Sequence, residues 1–145
     1  MNTENIDRLI NFIKRQDTKL NMEYAFGDSN KAPDIVTCST PMCIAGIARY
    51  LENDYTTDGN NHVMYIVDFL DIEYEDAYEL CAPWEAAEFH NEKYDDEVNE
   101  YVWWERLTRE VNGKQVPLFS KESVLKTLKL LKETGSVSWE CVFCD

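Results

Sequence analysis

Positive charge is scarce in this sequence and almost missing from its middle. Lysine and arginine number 14 against 28 aspartates and glutamates, and between residues 68 and 105 Lys93 stands alone among fourteen carboxylates, so the rest of the chain is nearly balanced. A net charge of −14 repels nucleic acid and anionic membrane, and direct binding to either is not expected. Long apolar runs are also lacking, since no stretch approaches the roughly 18 residues needed to span a bilayer. The opening "MNTENIDRLINF" has Glu4 and Asp7 where a secretory signal would place basic residues ahead of a long apolar block, which points to a cytoplasmic protein. Histidine is limited to His62 and His90. The five cysteines, Cys38, Cys43, Cys81, Cys141 and Cys144, are an odd number without an export signal, which argues for reduced thiols and against a complete disulfide framework.

What is present suffices for a core. The 145 residues are 44% hydrophobic and 12% aromatic, enough for one domain over 1–145 and unlike a low-complexity chain. Ile6, Leu9, Ile10 and Ile13 follow the helical spacing, with Thr3 as the expected cap. Leu20, Met22, Tyr24 and Phe26 alternate as in a short strand before the loop "GDSNKAPD". A second helix is expected with Thr40 as cap, Pro41 in its first turn, and Ile44, Ile47, Ala48 and Leu51 inside, closed by "TTDGNN". Gly46 would allow another element to pack closely. Val63, Ile66, Val67 and Leu70 give a third helical stripe, and "EYEDAYELCAPW" a short fourth helix ending before Pro83. From Trp84 to about Arg109 the pattern is mostly helical but indistinct. Asn112-Gly113 within "REVNGKQVPLF" signals a hairpin, because both residues tolerate positive φ. Ser120 caps a last helix with Val124, Leu125, Leu128 and Leu131 inside, Lys126, Lys129 and Lys132 toward its negative end, and Gly135 as its stop. "SVSWECVF" alternates as a closing strand would. The class expected is α+β, predominantly α-helical: one compact domain of about five helices with a small β-hairpin and short strands.

The stretch "CSTPMCIAGIARYL", residues 38 to 51, resembles the signature of a family of small proteins without an assigned activity, common in tailed-phage and bacterial genomes, that reads Cys-Gly-Thr-x-x-Cys-x-Ala-Gly and leads into a helix. The resemblance extends to "LNMEY", to "FLDIEYEDAYELCAP" where the family has Leu-Gly-Leu followed by Leu-Phe-x-Pro, and to "LLKETGSVSW". Ser39 replaces the usual Gly, Ile47 a frequent Trp or His, and Cys81 the Phe. The resemblance implies a compact, helix-rich phage-type protein, working in the host-cell cytoplasm if phage-encoded, and it brings no catalytic residues.

The acidic middle is the main candidate site. Residues 91 to 105, "NEKYDDEVNEYVWWE", set a run of carboxylates beside Tyr94, Tyr101, Trp103 and Trp104. Read as continuous helix, the 38 residues from 68 to 105 would span about 57 Å, or about 4 Å per carboxylate, against about 3.4 Å per phosphate on one DNA strand. Pro83 must interrupt that path, so the comparison holds for charge density and not for a rod. Asp71/Glu75, Glu75/Glu79, Glu88/Glu92, Glu92/Asp96 and Asp96/Glu100 are like-charge i, i+4 pairs, each unfavourable by about 0.2 to 0.5 kcal/mol where helical. A basic partner would relieve them. Interleaved aromatics, Tyr74, Tyr78 and Trp84 among them, are what interfaces favour, and adjacent Trp103 and Trp104 cannot both point inward from a helix. The bland alternative is an acidic solvated face whose aromatic residues complete a core.

Other constellations compete. Cys43, expected near the third position of its helix, is the best nucleophile candidate, since free N–H groups and the helix dipole favour a thiolate there; the bland alternative is a small buried thiol. Cys141-x-x-Cys144 is half of a zinc knuckle, and Cys38 with Cys43, or Cys81 with a histidine, are the available other halves. "DFLDIEYEDAYE" is rich in carboxylates but lacks the glycine and ligand order of a calcium loop. The reading that follows is a small acidic phage-type protein that inhibits a host nucleic-acid-binding or defence protein by mimicking nucleic acid. Asp71, Glu75, Asp76, Glu79, Glu92, Asp95, Asp96, Glu97 and Glu100 would pair with lysines and arginines, and Trp103 or Trp104 would anchor. It assigns no catalytic residue, metal or cofactor, and leaves the oligomeric state open. The alternatives are a thiol- or zinc-dependent enzyme centred on Cys43 and a virion or structural accessory protein.

Overall fold

The computed structural model describes residues 1–20, 36, 37, 40, 42–55, 62–81, 108–117 and 120–139. The loop "GDSNKAPD", the strand expected beyond Leu20, Pro41, "TTDGNN", the segment from Trp84 up to the residue before Thr108, and residues 140–145 lie outside them.

Five helices carry the described core, and the class is predominantly helical. They are α1 (Thr3–Ile13), α2 (Ile44–Glu52), α3 (His62–Leu70), α4 (Tyr74–Cys81) and, after two short strands, α5 (Lys121–Thr134). Helix α1 packs on α2, α3 and α5, while α2 and α4 both pack on α3. The core is drawn from all five: Ile6, Leu9 and Ile13 of α1, Ile44 and Ile47 of α2, Ile66 and Leu70 of α3, Leu80 of α4 and Leu128 and Leu131 of α5 are fully buried. Each aliphatic side chain of this size contributes about 1.5 to 3 kcal/mol when removed from water.

The helix ends follow from local chemistry, with two corrections to the expectations. Asn2, not Thr3, caps α1: its side-chain oxygen accepts from the Asn5 N–H at 3.0 Å. Both residue types cap well, and Asn2 is fixed in place because its own N–H donates to the Leu70 carbonyl at 2.6 Å. Helix α2 starts three residues later than expected. Its N-cap is Cys43, without a side-chain cap bond, and Thr40 instead accepts from the Thr37 N–H at 3.0 Å. The cause is tertiary: Met42 forms a parallel bridge with Leu20, and its N–H donates to the Lys19 carbonyl at 3.1 Å, so the chain stays extended through this point. Gly46 is buried within the helix.

Helix α2 ends at Asn53, before "TTDGNN". Asn53 is left-handed at φ 51°, and the N–H groups of Asp54 and Asn53 reach back to Arg49 and Tyr50 in the nested pattern of a Schellman turn. Asp71 does the same for α3 at φ 51°, with the Ile72 N–H on the Val67 carbonyl. Ser120 caps α5 through the Ser123 N–H, and Gly135 stops it at φ 80°.

Thr108–Val111 pairs antiparallel with Lys114–Pro117 across Asn112 and Gly113, both at positive φ. This two-stranded ladder does not define the fold class, and Thr108 and Arg109 belong to it, not to a helix. Nor is "SVSWECVF" a strand over its described part. Residues 137–139 have no strand partner and lie against α4, where the Val137 N–H donates to Asp76 Oδ1 at 2.8 Å and the Trp139 indole N–H to the Glu79 carbonyl at 2.9 Å. The alternation in sequence comes from burying Val137 and Trp139 beneath that helix.

Candidate functional site

Four of the acidic residues singled out from sequence are described, and α4 carries three of them. Helical geometry turns successive residues by about 100°. Ala77 and Leu80 are buried, which sets Glu75 and Glu79 on the outward side, with Tyr74 and Tyr78 along one flank and Asp76 along the other. Tyr74 is 51% exposed and stacks on Tyr78, their ring centres 6.1 Å apart. Among the described residues no basic side chain forms an ion pair with Glu75 or Glu79. Desolvation first, and the neighbouring Asp76 second, hold the Glu79 carboxyl above its ordinary range.

Asp71 and Asp76 serve the molecule's own packing. Asp71 terminates α3 and sits 3.2 Å from the Met1 ammonium, but its side chain is 84% exposed, so the pair is worth little and the carboxylate still faces solvent. Asp76 holds the backbone of Val137. Of the like-charge pairs, Glu75/Glu79 is one turn of α4. Asp71/Glu75 is not a helical pair, because α4 begins at Tyr74 and Asp71 lies in the turn before it. Glu92, Asp95, Asp96, Glu97, Glu100, Trp103 and Trp104, and the other three like-charge pairs, lie outside the described residues.

The nucleophile candidate occupies a different setting from the one expected. Cys43 is the N-cap of α2, not its third residue, and it is buried. Burial pushes its thiol up, outweighing the Gly46 and Ala45 amides and the Arg49 charge that would favour a thiolate. That is the opposite of what activates a nucleophile. Cys81 is likewise driven well above its ordinary value by burial, with Cys43 as a second cause. Among the described residues no group of three or more His, Cys, Asp and Glu is arranged to hold a metal ion. Cys38, Cys141 and Cys144 lie outside them. "DFLDIEYEDAYE" forms the end of α3, a three-residue turn and α4, with Phe69, Leu70 and Ala77 buried, so it is a helix pair and not a calcium loop.

One polar constellation was not foreseen. Arg49 is 1% exposed, within the part of α2 buried on every side. Its Nε–H donates to His62 Nδ1 at 3.0 Å, and its guanidinium lies 4.1 Å from the centre of the Tyr65 ring. Its Nη1, also buried, has no hydrogen-bond partner among the described residues. Desolvation lowers the Arg49 pKa, against the opposing pull of Tyr65 and then Asp54. Thirteen residues separate the arginine from the histidine, so no local spacing announces the pair. The one sequence signal is an arginine inside the run Ile44–Ala48, where every neighbour is apolar or glycine.

Among the described residues no helix is long and apolar enough to cross a membrane. Compared with known protein families, with curated proteins and with solved structures, the chain matches none.

Proposed function

We propose that this chain is an acidic binding protein of phage type, acting in the host cytoplasm, that docks onto the basic groove of a host nucleic-acid-binding or defence protein and inhibits it by occupancy. The observation that carries the reading is the outward face of α4: Glu75 and Glu79 stand one turn apart without a basic partner among the described residues, beside the exposed Tyr74 stacked on Tyr78. Unneutralised carboxylates next to a rigid aromatic pair match the polar rim and aromatic anchor of protein interfaces. The same composition continues in sequence through residue 105, and Glu92, Asp95, Asp96, Glu97, Glu100, Trp103 and Trp104 extend the proposed surface. Opposite charge on the partner would steer association and set its salt dependence.

The test is affinity capture from bacterial host extract at about 0.1 M and about 1 M ionic strength, where the screening length falls from about 10 Å to about 3 Å. The wild-type chain should retain a basic protein at the lower salt and release it at the higher. A variant carrying Glu75→Gln and Glu79→Gln with Tyr74→Ala should lose it at both, and so should one neutralised at the acids of 92–100. Recovery of the same partners by both variants sinks the reading.

A further inference from the structure

The Arg49–His62 contact constrains a proton. An arginine Nε always carries hydrogen and can only donate, so His62 Nδ1, 3.0 Å away, must offer a lone pair, and the imidazole is then neutral with its proton on Nε2. Charging the ring would place the second proton on Nδ1, where it meets the Arg49 N–H. The bond would be lost, and imidazolium would be set against guanidinium in a place where Arg49 is already desolvated and already has one N–H group unmatched.

We propose that Arg49 and His62 form an acid-sensitive latch between α2 and α3, closed while His62 is neutral and released when it takes a proton.

The charged and titratable groups around the latch leave little to compensate that proton. From the start of α2, Cys43 is a thiol held neutral by burial. From the turn after α2, Asp54 acts on Arg49 and on Tyr65 and is the negative charge nearest the pair among the described residues. It faces two positive charges once His62 is protonated. From α3, the Tyr65 phenol is pushed up by burial first and by Asp54 second, so it stays neutral across the physiological range. Arg8 of α1 and Glu52 of α2 also act on Tyr65, but they are paired with each other. From α4, burial keeps Cys81 protonated.

A free imidazole takes its proton near pH 6.5, so in acid the unfolded chain binds a proton that the latched chain refuses. Stability is then present above that pH and lost as pH falls.

Urea unfolding of the wild-type chain and of His62→Asn between about pH 7.5 and pH 5.5 tests this. Asparagine places an oxygen acceptor near the Nδ1 position and cannot titrate. The wild-type unfolding equilibrium constant should rise by up to about tenfold per pH unit below about 6.5 relative to that of His62→Asn. Parallel curves overturn the latch. Nitrogen NMR of the wild-type imidazole, assigned with a His90→Gln variant, decides independently of whether His62→Asn folds. At neutral pH the His62 proton should be on Nε2, and a proton on Nδ1 overturns the proposal.

Discussion

Trp139 is 2% exposed, and its indole N–H takes up the carbonyl of Glu79, one of the orphan acceptors that every helix leaves in its last turn. Trp139→Phe should therefore cost about 1 to 3 kcal/mol, mostly through the unmatched carbonyl, and Trp139→Ala about 3 to 5 kcal/mol in urea denaturation. Glu79 itself is a strained group. Its carboxyl is held above the ordinary range, so the folded chain keeps a proton that the unfolded chain releases, and stability falls as pH rises through the window that begins near 4.3. Glu79→Gln removes that slope and relieves the repulsion with Glu75. The unfolding free energy near pH 7 should rise by about 0.2 to 0.5 kcal/mol, and a loss of stability there would show that the charge is compensated after all. The buried thiols of Cys43 and Cys81 should alkylate far more slowly in the native protein than in urea, as peptide mass spectrometry would record.

Among the elements, α5 is the one whose sequence says most. Ser120 and Gly135 bracket it, and Val124, Leu128 and Leu131 line its inner side, because cap, stripe and stop all act within one segment. Ser120→Ala should cost about 1 kcal/mol. Gly135→Ala should cost about 1 to 2 kcal/mol from the left-handed backbone alone, since a methyl group there would meet nothing within 4 Å; thermal melts measure both. Helix α2 shows where local reading stops. Thr40-Pro41 is a sound helix start by propensity, and it loses to a bridge with Leu20 that lies twenty-two residues upstream of Met42. The site divides in the same way. Glu75 and Glu79 are readable because helical spacing alone sets their face, whereas Arg49 and His62 meet only through the packing of α2 on α3. An arginine with apolar neighbours carries no local mark of what it will touch.

For the whole molecule, charge balance should set the response to salt. With 28 acidic and 14 basic residues, self-repulsion opposes the compact state. Raising ionic strength from about 0.01 M to about 0.15 M, which shortens the screening length from about 30 Å to about 8 Å, should raise the melting temperature, and a fall would mean that the attractive pairs dominate. Those pairs join distant parts of the chain: Lys132 holds Asp7 at 2.8 Å, and Arg8 binds both Glu52 and the Leu51 carbonyl while lying over the Phe69 ring. The seat of Val137 and Trp139 against α4 belongs to the same long-range set, with sixty residues between the tryptophan and the carbonyl it grips. A ribosome making this protein thus releases α1 through α4 well before the indole that completes their packing has been translated. Final consolidation must await residue 139 clearing the exit tunnel, and until then a nascent chain holds the hydrophobic underside of α4 open to chaperones.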